Sequence, residues 1–117
     1  MERDYVTCHI LDTVKGKPAA NVKCVLSKLN GGVESVVSSS TTDGDGRIAN
    51  WGPRVTSIDP GAYKMRFETG EYLSANNNGD AFFPVVEVMF AVSNPPDKHY
   101  HIPLLLSNYS YSTYRGS

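Results

Sequence analysis

The sequence predicts an all-β fold, a two-sheet β-sandwich of seven to eight strands with one short helix. Three observations carry this expectation. Runs of strand-forming residues with period-2 alternation recur along the chain, turn signals rich in Gly and Asn separate them, and only the segment from Glu68 to Asn76 reads as a helix. With 117 residues, 40% of them hydrophobic, the chain can bury one core of ordinary size, so residues 1–117 are read as a single domain.

The first strand runs from Tyr5 to Leu11, where Val6, Cys8 and Ile10 alternate with Thr7, His9 and Leu11; it stops at Lys15-Gly16-Lys17-Pro18. Two further β-type runs, from Val22 to Leu29 and from Val33 to Thr41, flank Asn30-Gly31-Gly32. That turn supplies positive φ at low steric cost and favours a hairpin. Asp43-Gly44-Asp45-Gly46 makes a tight loop before Arg47. After Asp59-Pro60-Gly61 come strands from Ala62 to Phe67, from Phe82 to Val92 and from His99 to Leu106, and the stretch from Tyr109 to Tyr114 completes the set. The helix would start at Thr69 as N-cap and stop at Asn77-Asn78-Gly79.

Eleven basic and twelve acidic side chains leave a formal charge of −1, so no global field draws the protein to nucleic acid or to an anionic membrane. The charged start, Met1-Glu2-Arg3-Asp4-Tyr5, lacks the apolar region of a secretory signal, and no run is long enough for a membrane helix. Cys8 and Cys24 stand in neither CxxC nor Cys/His ligand spacing. A soluble, cytoplasmic protein is expected, with a peroxisomal one as the alternative, for which Arg115-Gly116-Ser117 is no recognisable signal.

Alternation also orients the histidines. In the strand from His99 to Leu106, the apolar set Tyr100, Ile102, Leu104 and Leu106 forms the better core face, which turns His99, His101, Pro103 and Leu105 outward. His9 turns outward from the first strand by the same rule. Leu11 and Leu105 join the histidines there, which is more apolar surface than a free monomer needs, so this face is expected in an oligomer interface.

Three segments resemble the transthyretin-related family. His9-Ile10-Leu11-Asp12-Thr13 followed by Gly16-Lys17-Pro18-Ala19 is similar to its opening motif. Asp43-Gly44-Asp45-Gly46-Arg47 is similar to the turn that presents its active-site arginine. His99-Tyr100-His101-Ile102-Pro103-Leu104-Leu105-Leu106-Ser107, running on through Tyr109-Ser110-Tyr111-Ser112-Thr113 to Tyr114-Arg115-Gly116-Ser117, is similar to its most distinctive stretch. Cys24 and Asn108 depart from the family's aliphatic and Pro or Gln residues. Hormone carriers of the family typically have lysine at the position of His9, threonine at that of His101 and a different tail; this sequence resembles the hydrolase branch at each place.

The resemblance implies a transthyretin-like (prealbumin-like) sandwich that hydrolyses the N1–C6 amide of 5-hydroxyisourate, giving 2-oxo-4-hydroxy-4-carboxy-5-ureidoimidazoline, without a cofactor or metal. It implies a homotetramer, a dimer of dimers, with sites in the channel between dimers. His9 and His101 would form the acid–base pair, with the order of their roles open, and Arg47 would bind substrate oxygens and stabilise the oxyanion. Tyr114 and Ser117 would line the substrate pocket, while Arg115 anchors the tail by an ion pair and Gly116 lets the backbone pack closely. Arg54, beside another turn, competes with Arg47. His99 reads as an interface histidine rather than a metal ligand, and Asp43-Gly44-Asp45-Gly46 lacks the later oxygen ligands of a calcium loop. The alternative within the same fold is a carrier of a small aromatic ligand; a β-sandwich module that binds no ligand is the third class.

Overall fold

The structure, a computed structural model, describes residues 3–117; Met1 and Glu2, part of the charged start noted above, lie outside the described residues. In chain order it contains β1 (Val6–Asp12), β2 (Lys17–Pro18), β3 (Lys23–Asn30), β4 (Val33–Thr41), β5 (Arg47–Ile48), β6 (Gly61–Glu68), α1 (Gly70–Asn76), β7 (Val86–Val92), β8 (Tyr100–Leu106) and β9 (Tyr111–Thr113). One sheet has the order β2-β1-β8-β9 with β5 also paired to β1, and the other has the order β4-β3-β6-β7. The expected two-sheet sandwich with one short helix is what forms.

Inward residues of the two sheets make one core. Val6, Cys8, Ile10, Leu104 and Leu106 from one sheet face Cys24, Leu26, Met65, Phe67 and Val86 from the other, all buried. At roughly 1.5–3 kcal/mol for each large apolar side chain fully removed from water, these residues dominate the stabilising side of folding. Cys8 and Cys24 are buried free thiols. Gly31 and Gly32, at φ 54° and 89°, form the two-residue loop of the β3–β4 hairpin, in which Asn30 pairs with Val33. Positive φ at both loop positions is the turn whose twist matches that of the flanking strands.

Several boundaries differ from the expectation. Lys17-Pro18 and Arg47-Ile48 form two-residue strands along one edge of β1, where they pair with Leu11 and Asp12 and with Cys8 and His9. Such short ladders leave no periodicity to read. β7 begins at Val86 rather than Phe82, because the stretch containing Pro84 serves the helix. The Phe83 carbonyl accepts from the Thr69 hydroxyl and the Pro84 carbonyl accepts from the Gly70 N–H. Thr69 does occupy the N-cap position, but its hydroxyl makes this cross-chain bond and none to the helix. No helix among the described residues is long and apolar enough to cross a membrane.

Candidate active site

The loop before β5 is built to present Arg47. Asp43 Oδ1 accepts from the N–H groups of Asp45 and Arg47, and its carbonyl accepts from Gly46, so the first carboxylate caps its own turn instead of facing a cation. Gly46 is required twice over. Its φ is 73°, and a Cβ there would lie 2.5 Å from the Ile10 carbonyl oxygen. The Gly46 carbonyl in turn accepts from Ile10 N–H, which ties the loop to β1. Buried Ile48 anchors the far side, leaving exposed Arg47 directly across from His9.

β1 and β8 run parallel, with Val6 beside Tyr100 and Thr7 beside His101. The outward residues of both strands are therefore adjacent. The Thr7 hydroxyl, 5% exposed, lies 2.7 Å from His101 Nδ1 and 2.8 Å from His99 Nε2. The two imidazoles stack with ring centroids 6.1 Å apart. His9 falls two residues further along β1, beside Pro103, hence diagonal to His101 at roughly 8 Å between Cα positions by ordinary strand spacing.

The chain's last residues continue along the edge of β8 beside these rings, where Gly116 forms an antiparallel bridge with His101. Gly116 N–H donates to the His101 carbonyl at 2.9 Å, and a Cβ on Gly116 would stand 2.4 Å from His101 Cδ2. Only a residue without a side chain fits there. Arg115 holds the segment in place through a 2.9 Å ion pair with Asp97, a hydrogen bond to the His99 carbonyl and a guanidinium 4.7 Å from the Tyr100 ring centroid. The expected ion-pair anchor is thus present. A cavity of about 250 Å³ results, bounded by Thr7, Arg47, His99, His101 and Ser117, with Arg3, Cys8, Ile48 and Ala49.

Its electrostatics favour neutral imidazoles. Burial depresses the pKa of His101 first, and electrostatic coupling to His99, His9, Arg47 and Arg3 depresses it further. Burial likewise lowers His99, helped by Arg3 and Arg115. His9 is lowered by burial and by Arg47, against a hydrogen bond with the Asp45 backbone and the charges of Asp43 and Asp45. At neutral pH each ring can accept a proton, while a guanidinium stands beside them.

The structure brings Arg47, His101 and Ser117 to one cavity. His9 lies outside its immediate lining, on the same face. Tyr114, 59% exposed, lies elsewhere in the single chain, in a groove of about 340 Å³ beside Met89, Phe90 and Tyr100. Arg54, the competitor of Arg47, belongs to another task. It pairs with buried Asp4, whose carboxylate also accepts from the N–H groups of Trp51 and Val55. Pattern reading missed Thr7 and the bridge to His99. Thr7's place on the outward face with His9 was visible, but its neighbour across the sheet was not.

The model of the HIUase/Transthyretin family matches residues 6–116. A probable 5-hydroxyisourate hydrolase of Schizosaccharomyces pombe is 39% identical over 115 residues, which span 96% of this chain and 90% of the relative. The 5-hydroxyisourate hydrolase of Salmonella typhimurium is 43% identical over 114 residues, 97% of this chain and 82% of that one. Among solved structures, Klebsiella pneumoniae 5-hydroxyisourate hydrolase superposes with a TM-score of 0.79 at 30% identity, covering 96% of this chain and 98% of its own. Transthyretin from Sparus aurata superposes with a TM-score of 0.84 at 31% identity, covering 97% of each chain.

Proposed function

This chain belongs to the HIUase/Transthyretin family, and on that premise we propose that it is an enzyme that hydrolyses 5-hydroxyisourate at the N1–C6 amide, to give 2-oxo-4-hydroxy-4-carboxy-5-ureidoimidazoline. One observation carries the reading for this chain. Arg47, His101 and Ser117 converge on a single cavity whose imidazoles are held neutral.

Hydrolysis needs a nucleophilic water and a place for negative charge. With His101 Nδ1 engaged by Thr7, Nε2 is the nitrogen that can serve a molecule in the cavity. It accepts a proton from water as the oxygen attacks C6. General-base help of this kind contributes roughly 10²–10⁴-fold. The Arg47 guanidinium binds the C6 oxygen as the carbon becomes tetrahedral, and fixed donors at a developing oxyanion contribute roughly 10²–10³-fold. His9, on the strand between those of Arg47 and His101, protonates the departing N1 or orients the water. Ser117 supplies a polar wall. A cavity of about 250 Å³ suits a small polar heterocycle better than a drug-sized ligand, for which pockets start at roughly 300 Å³.

The working assembly in this reading is a homotetramer whose outward β1–β8 faces meet across a channel. Support comes from half-buried Leu11 and Leu105 beside the histidines, an apolar margin suited to a partner surface. Tyr114, remote from the cavity of its own chain, then reaches the site of a neighbouring subunit.

The test is to generate 5-hydroxyisourate with urate oxidase and follow its ultraviolet decay. A decay accelerated in proportion to protein concentration is expected. An unchanged decay together with tight, unreactive binding of a thyroxine-like ligand would establish a carrier instead.

A further inference from the structure

The Thr7 hydroxyl has two ring nitrogens as its hydrogen-bond partners, His101 Nδ1 at 2.7 Å and His99 Nε2 at 2.8 Å, and one proton to give. It therefore donates to one ring and accepts from the other. We propose that Thr7 is a positioning residue that couples the two rings into a directional chain, His101 Nδ1–H to Thr7 Oγ1 and Thr7 Oγ1–H to His99 Nε2, so that His101 presents an unprotonated Nε2 to the cavity. The proposal rests on the hydrolase reading for its catalytic consequence, though not for the hydrogen-bond arrangement itself.

The arrangement follows from the roles of the two faces of each ring. A ring nitrogen that acts as base must lack a proton, so the proton of neutral His101 sits on Nδ1, where only an acceptor can hold it. Thr7 Oγ1 is that acceptor. Its own proton then goes to His99 Nε2, which places the proton of neutral His99 on Nδ1. Three features fix this geometry. The parallel β1–β8 register sets Thr7 beside His101, the His99 and His101 rings are stacked, and Arg115 bonds the His99 carbonyl from the tail segment beside β8.

The same chain gives the abstracted proton somewhere to go. When water transfers a proton to His101 Nε2, the Nδ1 proton can move to Thr7 Oγ1 as the Thr7 proton moves to His99 Nε2. Thr7 Oγ1 gains one proton as it gives one up, His101 stays neutral with its proton now on Nε2, and the net result is one proton carried from water to His99, which becomes the imidazolium. The groups facing His101 are His99, His9, Arg47 and Arg3, with Ser117 across the cavity; those facing His99 are Arg3 and Arg115, the latter paired with Asp97. The transfer moves positive charge away from Arg47 and toward the side of Arg3 and Arg115, the latter paired with Asp97. The reverse transfer restores the proton for the leaving nitrogen.

Thr7→Val removes the hydroxyl at nearly constant shape, and Thr7→Ser retains it. Thr7→Val should lower kcat by roughly 10- to 100-fold with KM changed by less than about threefold, and should shift the acid limb of the pH–rate profile, while Thr7→Ser recovers most of both. Ring ¹⁵N NMR of the wild-type protein at neutral pH should find both His99 and His101 protonated at Nδ1, and Thr7→Val should abolish that shared state. A wild-type His101 protonated at Nε2, a Thr7→Val enzyme with normal kcat and pH profile, or a Thr7→Ser enzyme as impaired as Thr7→Val would each overturn the proposal. Expected ring states in a protein that does not turn over 5-hydroxyisourate would instead refute the hydrolase reading and leave the hydrogen-bond chain standing.

Discussion

Gly116 lies flat against His101. Its N–H meets the His101 carbonyl at 2.9 Å, and any Cβ at position 116 would come within 2.4 Å of the imidazole Cδ2. The tail and the imidazole are therefore one structural unit, and a methyl group between them must displace one or the other.

Gly116→Ala follows from this directly. The fold should survive, since the change lies at the surface end of the chain, but His101 or the tail must shift. A misplacement of about 1 Å at a reacting group can cost on the order of 10²-fold. Steady-state kinetics should find kcat/KM reduced by roughly that factor, with an unchanged thermal midpoint.

The two arginines near turns separate cleanly. Arg47→Ala should lower kcat by roughly 10²–10³-fold with little change in stability. Arg54→Ala should leave kcat near normal and lower stability by about 2–4 kcal/mol, because it strips a partner from the buried Asp4 carboxylate. Urea denaturation beside kinetics on both variants tests the distinction.

Gly46→Ala should be the most damaging glycine change among those near the site. It combines a strained φ of 73° with a Cβ 2.5 Å from the Ile10 carbonyl oxygen. A stability loss of about 2 kcal/mol or more is expected in denaturant titration, accompanied by a loss of kcat as Arg47 moves.

Stability should respond to pH in a defined direction. His9, His99 and His101 all fall below the ordinary value of 6.5, chiefly through burial. The unfolded chain therefore binds protons first as pH drops, so stability declines from about pH 6.5 downward through the folded-state values and has no slope from these groups above that range. Asp4 and Asp12 lie below 3.8. Burial alone would raise them, but their backbone and side-chain hydrogen bonds outweigh it, so their contribution is present above 3.8 and lost as pH falls through the lower folded values. Denaturation midpoints measured across this span should fall in two stages. Activity should rise with pH along the first stage and level off near neutrality.

Much of the sandwich was legible because strand periodicity is local. Alternation in Val6–Asp12 and Tyr100–Leu106 was enough to turn His9 and His101 outward, and both are half-buried on that face. What alternation does not carry is the partner strand. The parallel pairing of β1 with β8 joins residues more than ninety positions apart, and it decides that Thr7, not His9, stands beside His101. Arg47 was readable from its glycine turn, whereas the β5 ladder that seats it is two residues long and has no period. Arg54 looked equivalent in sequence, and only the buried Asp4 distinguishes it. Tyr114 and Ser117 are three positions apart yet lie in different cavities, because Arg115 and Gly116 pin the segment between them against β8.

The central claim is that His101 drives water onto C6 of 5-hydroxyisourate, and the most direct measurement follows that carbon. With substrate labelled with ¹³C at C6, NMR should record conversion of the ring carbonyl to a free carboxylate far faster with the wild-type protein than without it. His101→Asn should return the rate to within about 10²–10⁴-fold below wild type while the fold is kept. Carboxylate forming no faster than in buffer, or as fast with His101→Asn as with the wild-type protein, would contradict the account.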